Sequence, residues 1–291
     1  MTSLAVAIQG ELGSNSELAV REYYDGATVD LTIVPCRTFD ELFDAVHEGR
    51  AHTAMAPLEN SLAGSILDVW RLLVERHLPV CGELRLRIAH CLIGLPGSDL
   101  TQIRRVRSHP QALAQCQQFL QGLPDVEIEA VYDTAGAVQM LIAEGDRQEA
   151  AIASAQAAAD HEMEVIARDL CEGENFTRFL ALGKAPEGVG QTRMPAGELK
   201  TTLVLQMGST ASGLSSVLGE LARQDLVVLK VETHKHAGLP WSYDVYLEFS
   251  GDVDSTSPRA AIDRVGSLVE AVHVIGSYPS GADVEPRLHQ R

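Results

Sequence analysis

At 291 residues, with 45% hydrophobic and 22% charged side chains, the chain has room for about two globular domains, which excludes wholesale disorder and a fibrous protein. Forty acidic against 23 basic residues give a formal charge of −17, so nucleic acid and anionic membranes are poor partners and a small anionic ligand would need a local positive site. No apolar stretch approaches the ~20 residues of a membrane helix, Leu4 to Ile8 is too short for a signal-peptide core, and five cysteines without C-x-x-C spacing argue for a reduced, cytoplasmic chain with no disulfide framework and no zinc site.

Leu4 to Ile8 reads as a buried strand running into the turn Gly10-Glu11-Leu12-Gly13-Ser14, which opens a helix near Ser14 to Tyr24. Val29 to Pro35 is a second strand, Thr38 and Glu41 form a capping box for a helix, and Ala51 to Ala56 is a third strand. An apolar helical run follows around Leu62 to Leu73, then one strand near Arg85 to Ile93 that takes His90 and Cys91 into the core, and another near Ile103 to Arg107. Pro110 suits a first helical turn; Val126 to Val131 and Ala150 to Ala153 are strand-like, with Asp133 capping the helix between them and Gly145 closing it. This βα alternation predicts a mainly parallel sheet with ligands at the carboxyl ends of its strands.

Composition shifts after residue 184 to a Gly- and Pro-rich linker, 185–198. Beyond it Thr201 to Met207, Ser212 to Arg223, Leu226 to Glu232, Ser242 to Phe249, Pro258 to Val269 and Val272 to Gly276 read as a ferredoxin-like βαββαβ unit over 199–279, with a frayed tail at 280–291.

Nucleotide-binding, nucleophile-elbow and zinc-hydrolase fingerprints are missing. What remains are uncharged hydroxyl and amide groups at strand ends, each beside an ionisable residue. Ser14 opens a helix after a glycine turn; Glu59, Asn60, Ser61 and Ser65 crowd the end of the third strand. Ser108 and His109 precede a helix on which Gln111 and Gln115 share a face, and Asn175 to Leu180 sets Thr177 beside Arg178. His109 is read as a helix cap before a general acid. His234 and His236 share a strand face, but two imidazoles without a third ligand do not make a metal site.

In this order, Gly10 to Ser16, Pro57 to Ser65, Ser108 to Cys116, Asp133-Thr134-Ala135, Ala150 to Ala158 and Asn175 to Leu182 resemble the prephenate dehydratase family, which includes arogenate dehydratases. The resemblance spans residues 1 to about 183 and rests most on the Ser-His-Pro-Gln-Ala and Asn-Phe-Thr-Arg-Phe strings. It implies a two-lobed catalytic domain over 1–184, similar to periplasmic binding proteins, that loses carbon dioxide and water from prephenate without cofactor or metal.

By position in the motifs, the resemblance implies Thr177 as donor to the departing hydroxyl and Ser108 and Gln115 as orienting groups; Asn60 and Ser61 are read as further orienting groups, and Arg178 as carboxylate anchor, supplemented by N–H groups at the helix starts near Ser14, Leu62 and Pro110. Phe179, Ser61, Ser65, Ser14, His109, Gln111 and Ser154 complete the expected substrate contacts. Glu59 would repel a dianion if ionised, so it is expected to be protonated or held by a structural partner.

The second domain resembles the ACT regulatory domain of this family, implying phenylalanine as effector. Its binding residues would be Gly213, Leu214 and Glu232, although the Glu232-Thr233-His234-Lys235 segment keeps only the glutamate of the family's motif. The chain opens at its first strand, so no fused N-terminal domain is expected, and a homodimer or homotetramer follows from the resemblance. Arogenate dehydration and a non-catalytic carboxylate sensor are the alternatives.

Overall fold

The computed structural model describes residues 2–171, 173–184, 186, 197–207, 213–236 and 241–289. They fall into two compact units: Met1–Val69 with Leu84–Met194 and Ala282–Arg291, and Trp70–Glu83 with Pro195–Gly281. The expected passage between domains near residues 185–198 is therefore one of several. The chain also enters the second unit at Trp70, returns at Leu84, and gives its last residues back to the first.

Along the chain run β1 (Thr2–Gln9), α1 (Asn15–Tyr23), β2 (Val29–Cys36), α2 (Phe39–His47), β3 (Thr53–Asn60), β4 (Gly64–Ser65), α3 (Leu67–Arg76) and β5 (Val80–Arg87). Then come β6 (Cys91–Gly94), β7 (Arg105–Ser108), α4 (Pro110–Gln115), α5 (Gln117–Gln121), β8 (Glu127–Ala130), α6 (Thr134–Glu144), β9 (Glu149–Ala153), α7 (Ala155–Asp160), β10 (Glu164–Ala167) and β11 (Phe176–Gly183). The expected caps form: Thr38 Oγ1 accepts the Glu41 N–H at 3.1 Å, and Asp133 accepts from Gly136.

The first unit holds two sheets. One runs β2-β1-β3-β11-β5, with β4 beside β3 and a last short strand, β16 (Asp283–Val284), beside β5; the other runs β8-β7-β9-β6-β10. Each is parallel only in part: β1 pairs β2 and β3 in parallel and β7 pairs β8 and β9 likewise, but β11 is antiparallel to β3 and β6 is antiparallel to both β9 and β10.

The single strand expected over Arg85 to Ile93 is two strands in different sheets. The intervening backbone leaves one ladder for the other: Ile88 donates to the Asn175 carbonyl, and the His90 carbonyl accepts from Leu170. Residues 88–90 thus run beside 170 and 175 in the passage between the two sheets. Leu4, Val6, Ile8, Met55 and Leu86 fill the first lobe's core, and Leu92, Val106, Ile152 and Leu120 one face of the second.

As far as residue 289, the tail expected to fray is held in place. Residues Asp283 and Val284 extend the first sheet, Arg287 pairs with the buried Glu22, and the His289 N–H reaches Gln156 at 2.7 Å. Backbone partners at residues 283, 284, 287 and 289 remove the reason for fraying there.

The second unit contains β12 (Leu199–Met207), α8 (Gly213–Arg223), β13 (Val228–Lys235), β14 (Tyr243–Ser250), α9 (Thr256–Gly266) and β15 (Ala271–Pro279), in the expected βαββαβ order. The antiparallel sheet runs β13-β14-β12-β15, with Val217, Leu221, Ala261 and Val265 of the helices packed on Leu203, Leu205, Leu247 and Phe249. Residues 70–83 are tied to that sheet by Trp70 stacked on Tyr246 at 4.4 Å and by buried Lys200, 2.5 Å from Glu83 and 3.2 Å from Glu248.

Candidate active site

The site begins where β3 and β11 lie side by side, with Asn60 opposite Thr177 and Glu59 opposite Arg178. Side chains alternate across a strand, so Asn60 and Thr177 share one face and their neighbours take the other. A bulge after Arg178 then sets Phe179 opposite Pro57, and these two join Asn60 and Thr177 in lining a cleft of about 300 Å³ in the first unit. The opposite wall comes from α4, with His109, Gln111 and Gln115, and from the β5–β6 passage, with Ile88 and His90.

A directed chain of hydrogen bonds runs behind this surface. Asn60 Oδ1 accepts the backbone N–H groups of Leu62 at 3.1 Å and Ala63 at 2.9 Å, which fixes the orientation of its amide. Its Nδ2 must then be the donor, and it reaches Thr177 Oγ1 at 3.0 Å, Asn175 Oδ1 at 2.7 Å and the Phe176 carbonyl at 3.2 Å. Gln115 donates to Asn60 Oδ1 at 3.3 Å, while its own Oε1 accepts from Asn175 at 3.1 Å and faces His90 Nε2 at 3.0 Å. Because Gln115 Oε1 is the acceptor, His90 carries its proton on Nε2.

The chain ends at a hydroxyl whose oxygen accepts a bond. Among the described residues no acceptor takes the Thr177 proton, so the O–H is left for a ligand. Buried networks of this kind polarise their members along the chain, which makes the terminal hydroxyl a better donor than an isolated alcohol.

Among the described residues lining the cleft there is no arginine or lysine. Positive potential comes instead from the first turns of α1, α4 and α6, whose caps Ser14, His109 and Asp133 all line it. Both cleft imidazoles are held neutral: burial lowers the His90 and His109 pKa values from the ordinary 6.5, against a raising contact with Gln115 for the first and the Asp133 charge for the second. His109 Nδ1 accepts the Gln111 N–H at 3.2 Å, which leaves Nε2–H as its donor.

This neutrality has a measurable sign. A depressed folded-state pKa means that the unfolded chain binds protons more readily, so stability present above about pH 6.5 declines as pH falls below that value until the folded-state pKa is reached. Urea midpoints measured from about pH 7.5 to about pH 5 should fall, and His90→Gln should show a shallower fall than the parent.

The cleft thus unites Asn60, Thr177, Gln115, His109, Gln111, Ser14 and Phe179 of the expected residues. It does not include the expected anchor. Arg178 lies 3.4 Å from Glu59 on the other strand face, so the guanidinium serves the sheet and Glu59 has the structural partner that its placement required. Ser108 is fully buried and donates to the Ile152 carbonyl at 2.6 Å, tying β7 to β9 instead of facing the cleft. Ser61 binds the backbone of residues 174 and 176, and Ser65 lies opposite Glu59 in the small β4 pairing. Ser154 caps α7 and bridges to the Gly13 carbonyl at 3.1 Å.

His90, expected in the core, and Asn175 were the missed members of the network. Asn175 stood in the quoted motif, whereas nothing in the sequence singled out His90. In the second unit Leu214 packs into the core and Glu232 bonds Lys230 and His234, while the residues preceding Gly213, 208–212, lie outside the described ones.

The prephenate dehydratase family profile matches residues 6–187. A bifunctional chorismate mutase/prephenate dehydratase of Escherichia coli K12 is 32% identical over 279 residues, covering 96% of this chain and 71% of that protein. A bifunctional N-acyl-homoserine lactone acylase/prephenate dehydratase of Komagataeibacter europaeus is 34% identical over 280 residues, with 94% and 95% covered, and an Arabidopsis thaliana arogenate dehydratase/prephenate dehydratase is 34% identical over 284 residues, with 94% and 72% covered. A solved structure described as a novel type of quorum-quenching acylase superposes with a TM-score of 0.81 at 33% identity, covering 95% of this chain and 98% of that one. Prephenate dehydratase from Arthrobacter aurescens, at 24% identity and a TM-score of 0.82 over 95% and 90% of the two chains, shares the fold. With its cleft, its Asn60–Thr177 pairing and these relatives, the chain belongs to the prephenate dehydratase family.

Proposed function

We propose that this protein is a carbon–oxygen lyase that converts prephenate to phenylpyruvate. The observation that carries this reading is the Thr177 hydroxyl, held by Asn60 Nδ2 at 3.0 Å with its own proton directed to no described acceptor. In the reaction the bond from the ring to its carboxylate breaks, its electron pair enters the ring, and the ring C–O bond breaks with its pair leaving on oxygen. Prephenate dianion plus one proton thereby gives phenylpyruvate, carbon dioxide and water. Thr177 donates to the departing oxygen, and aromatisation supplies driving force.

The dianion's carboxylates are met by first-turn N–H groups of α1 and α6 and by the His109 Nε2–H, in place of the expected guanidinium. A cleft of about 300 Å³ is at the small end of ligand pockets, roughly 300 to 1,000 Å³, and suits one ring acid with little water. Neither cleft imidazole is hydrogen-bonded to a hydroxyl among the described residues, whereas the Thr177 hydroxyl is placed to donate, which favours the lyase over an acyl-transfer role.

Asp133 favours a second reading. Its Oδ1 caps α6 while its buried Oδ2 has no hydrogen-bond partner among the described residues, an arrangement that would receive the ammonium of arogenate. Purified protein given prephenate or arogenate in parallel should release phenylpyruvate from the first with the higher kcat/KM. No product from either overturns the lyase reading, and a higher value on arogenate selects the second. Repeating the assay with saturating phenylalanine tests the regulatory role that we assign to the βαββαβ unit.

A further inference from the structure

We propose that Cys116 and Cys171 are a peroxide-reactive dithiol that closes to a disulfide beside the cleft. Their sulfurs lie 3.8 Å apart although 55 residues separate them in sequence. Cys116 ends α4 directly after Gln115, and Cys171 stands in the passage between the lobes, four residues before Asn175. Both neighbours belong to the hydrogen-bonded chain that ends at Thr177.

The two thiols are unequal. Cys116 is fully buried, whereas Cys171 is partly exposed. The Cys171 sulfur shares an S–H contact with Cys116, receives the Asn175 Nδ2–H at 3.9 Å and a His90 backbone contact, and has the Arg87 charge nearby. These donors outweigh its burial and lower its pKa to about 7, while the shared S–H contact and burial raise that of Cys116. The accessible sulfur that also holds the Asn175 donor is the attacking thiol, so Cys171 attacks and the buried Cys116 resolves.

With a hydroperoxide as oxidant, the Cys171 thiolate attacks the peroxide: an S–O bond forms, the O–O bond breaks, and the leaving alkoxide takes a proton to become an alcohol. The Cys116 sulfur then attacks the sulfenic sulfur, an S–S bond forms, the S–O bond breaks and water leaves. Two thiols and one hydroperoxide give one disulfide, one alcohol and one water, and an added dithiol reverses the oxidation.

Closing the pair means drawing the sulfurs from 3.8 Å to the roughly 2.05 Å of a disulfide. That movement removes the thiolate acceptor of Asn175 and pulls on the end of α4. Asn175 and Gln115 both bind Asn60, so oxidation disturbs the group that orients Thr177.

The test uses the full chain with the exposed thiol removed by Cys81→Ser. Hydrogen peroxide should give a chain two hydrogens lighter, and non-reducing peptide mapping should join the peptides carrying residues 116 and 171. Adding Cys116→Ser should leave a sulfenic acid at Cys171 that dimedone traps, and adding Cys171→Ser should give neither product. Prephenate turnover should fall by about tenfold, the scale of one lost orienting hydrogen bond, and recover with dithiothreitol. The Cys171→Ser protein should keep its turnover through the same treatment. Over-oxidation of Cys171 without a cross-link, or a disulfide between any other cysteines, would overturn the proposal. The mass readout does not depend on the prephenate reading, so an inactive reduced enzyme counts against that reading alone.

Discussion

Thr177→Ala is expected to lower kcat on prephenate by ~10²- to 10⁴-fold, the range for a positioned proton donor, with KM nearly unchanged. The split follows from where the binding groups lie. The carboxylates are held by helix first turns and His109, none of which depends on the Thr177 side chain, whereas the O–H meets an oxygen that becomes strongly basic only as its bond to the ring breaks. Folding should be little affected: Asn60 Nδ2 keeps Asn175 Oδ1 at 2.7 Å and the Phe176 carbonyl at 3.2 Å, so the lost contact costs about 1 kcal/mol. Thr177→Ser keeps the hydroxyl and should retain most of the rate. Steady-state kinetics with a thermal melt check both parts, and an alanine variant of near-parental kcat would remove Thr177 from the chemistry.

The elements were legible where a local signal decided them. Short continuous apolar runs mark β1 and β9, hydrophobic alternation marks β2, and Thr38 and Asp133 announce their helices because a cap needs only residues three positions away. The break at residues 88–90 has no such signal: Arg85 to Ile93 holds no glycine or proline, and it is the Asn175 carbonyl, 87 residues away from Ile88, that takes the backbone out of its ladder. Within the site, the assignment of both Thr177 and Arg178 to one cleft overlooked the pleat. Strand neighbours face opposite ways, so the threonine and arginine of one motif had to part, as did Asn60 and Glu59. Which member of each pair faces the ligand depends on register: Phe179 follows Thr177 onto its side by alternation, and the bulge, which leaves Leu58 unpaired, brings Pro57 to that side as well. His90 was hidden for a related reason, since its apolar neighbours on the chain describe a strand interior while its ring answers to Gln115.

Asn60→Asp is expected to lose nearly as much activity as Thr177→Ala, because it reverses the hydrogen-bond chain at its last link. Leu62 and Ala63 N–H groups keep one oxygen where Oδ1 stands, so the second carboxylate oxygen replaces Nδ2. There it meets three acceptors, Asn175 Oδ1, the Phe176 carbonyl and Thr177 Oγ1. The threonine can then satisfy the carboxylate only by donating its proton to it, which withdraws that proton from the substrate, and the new negative charge also opposes the dianion. KM should therefore rise along with a fall in kcat of ~10²-fold or more, a pattern that Thr177→Ala does not share. Stability should drop by about 1–3 kcal/mol, read as a lower urea midpoint, because a buried acceptor faces acceptors. Both substitutions remove the same donated proton, so the Asn60→Asp, Thr177→Ala double variant should be scarcely slower than the worse single one. Loss of kcat in the double equal to the product of the two single losses would mean that Asn60 and Thr177 act independently.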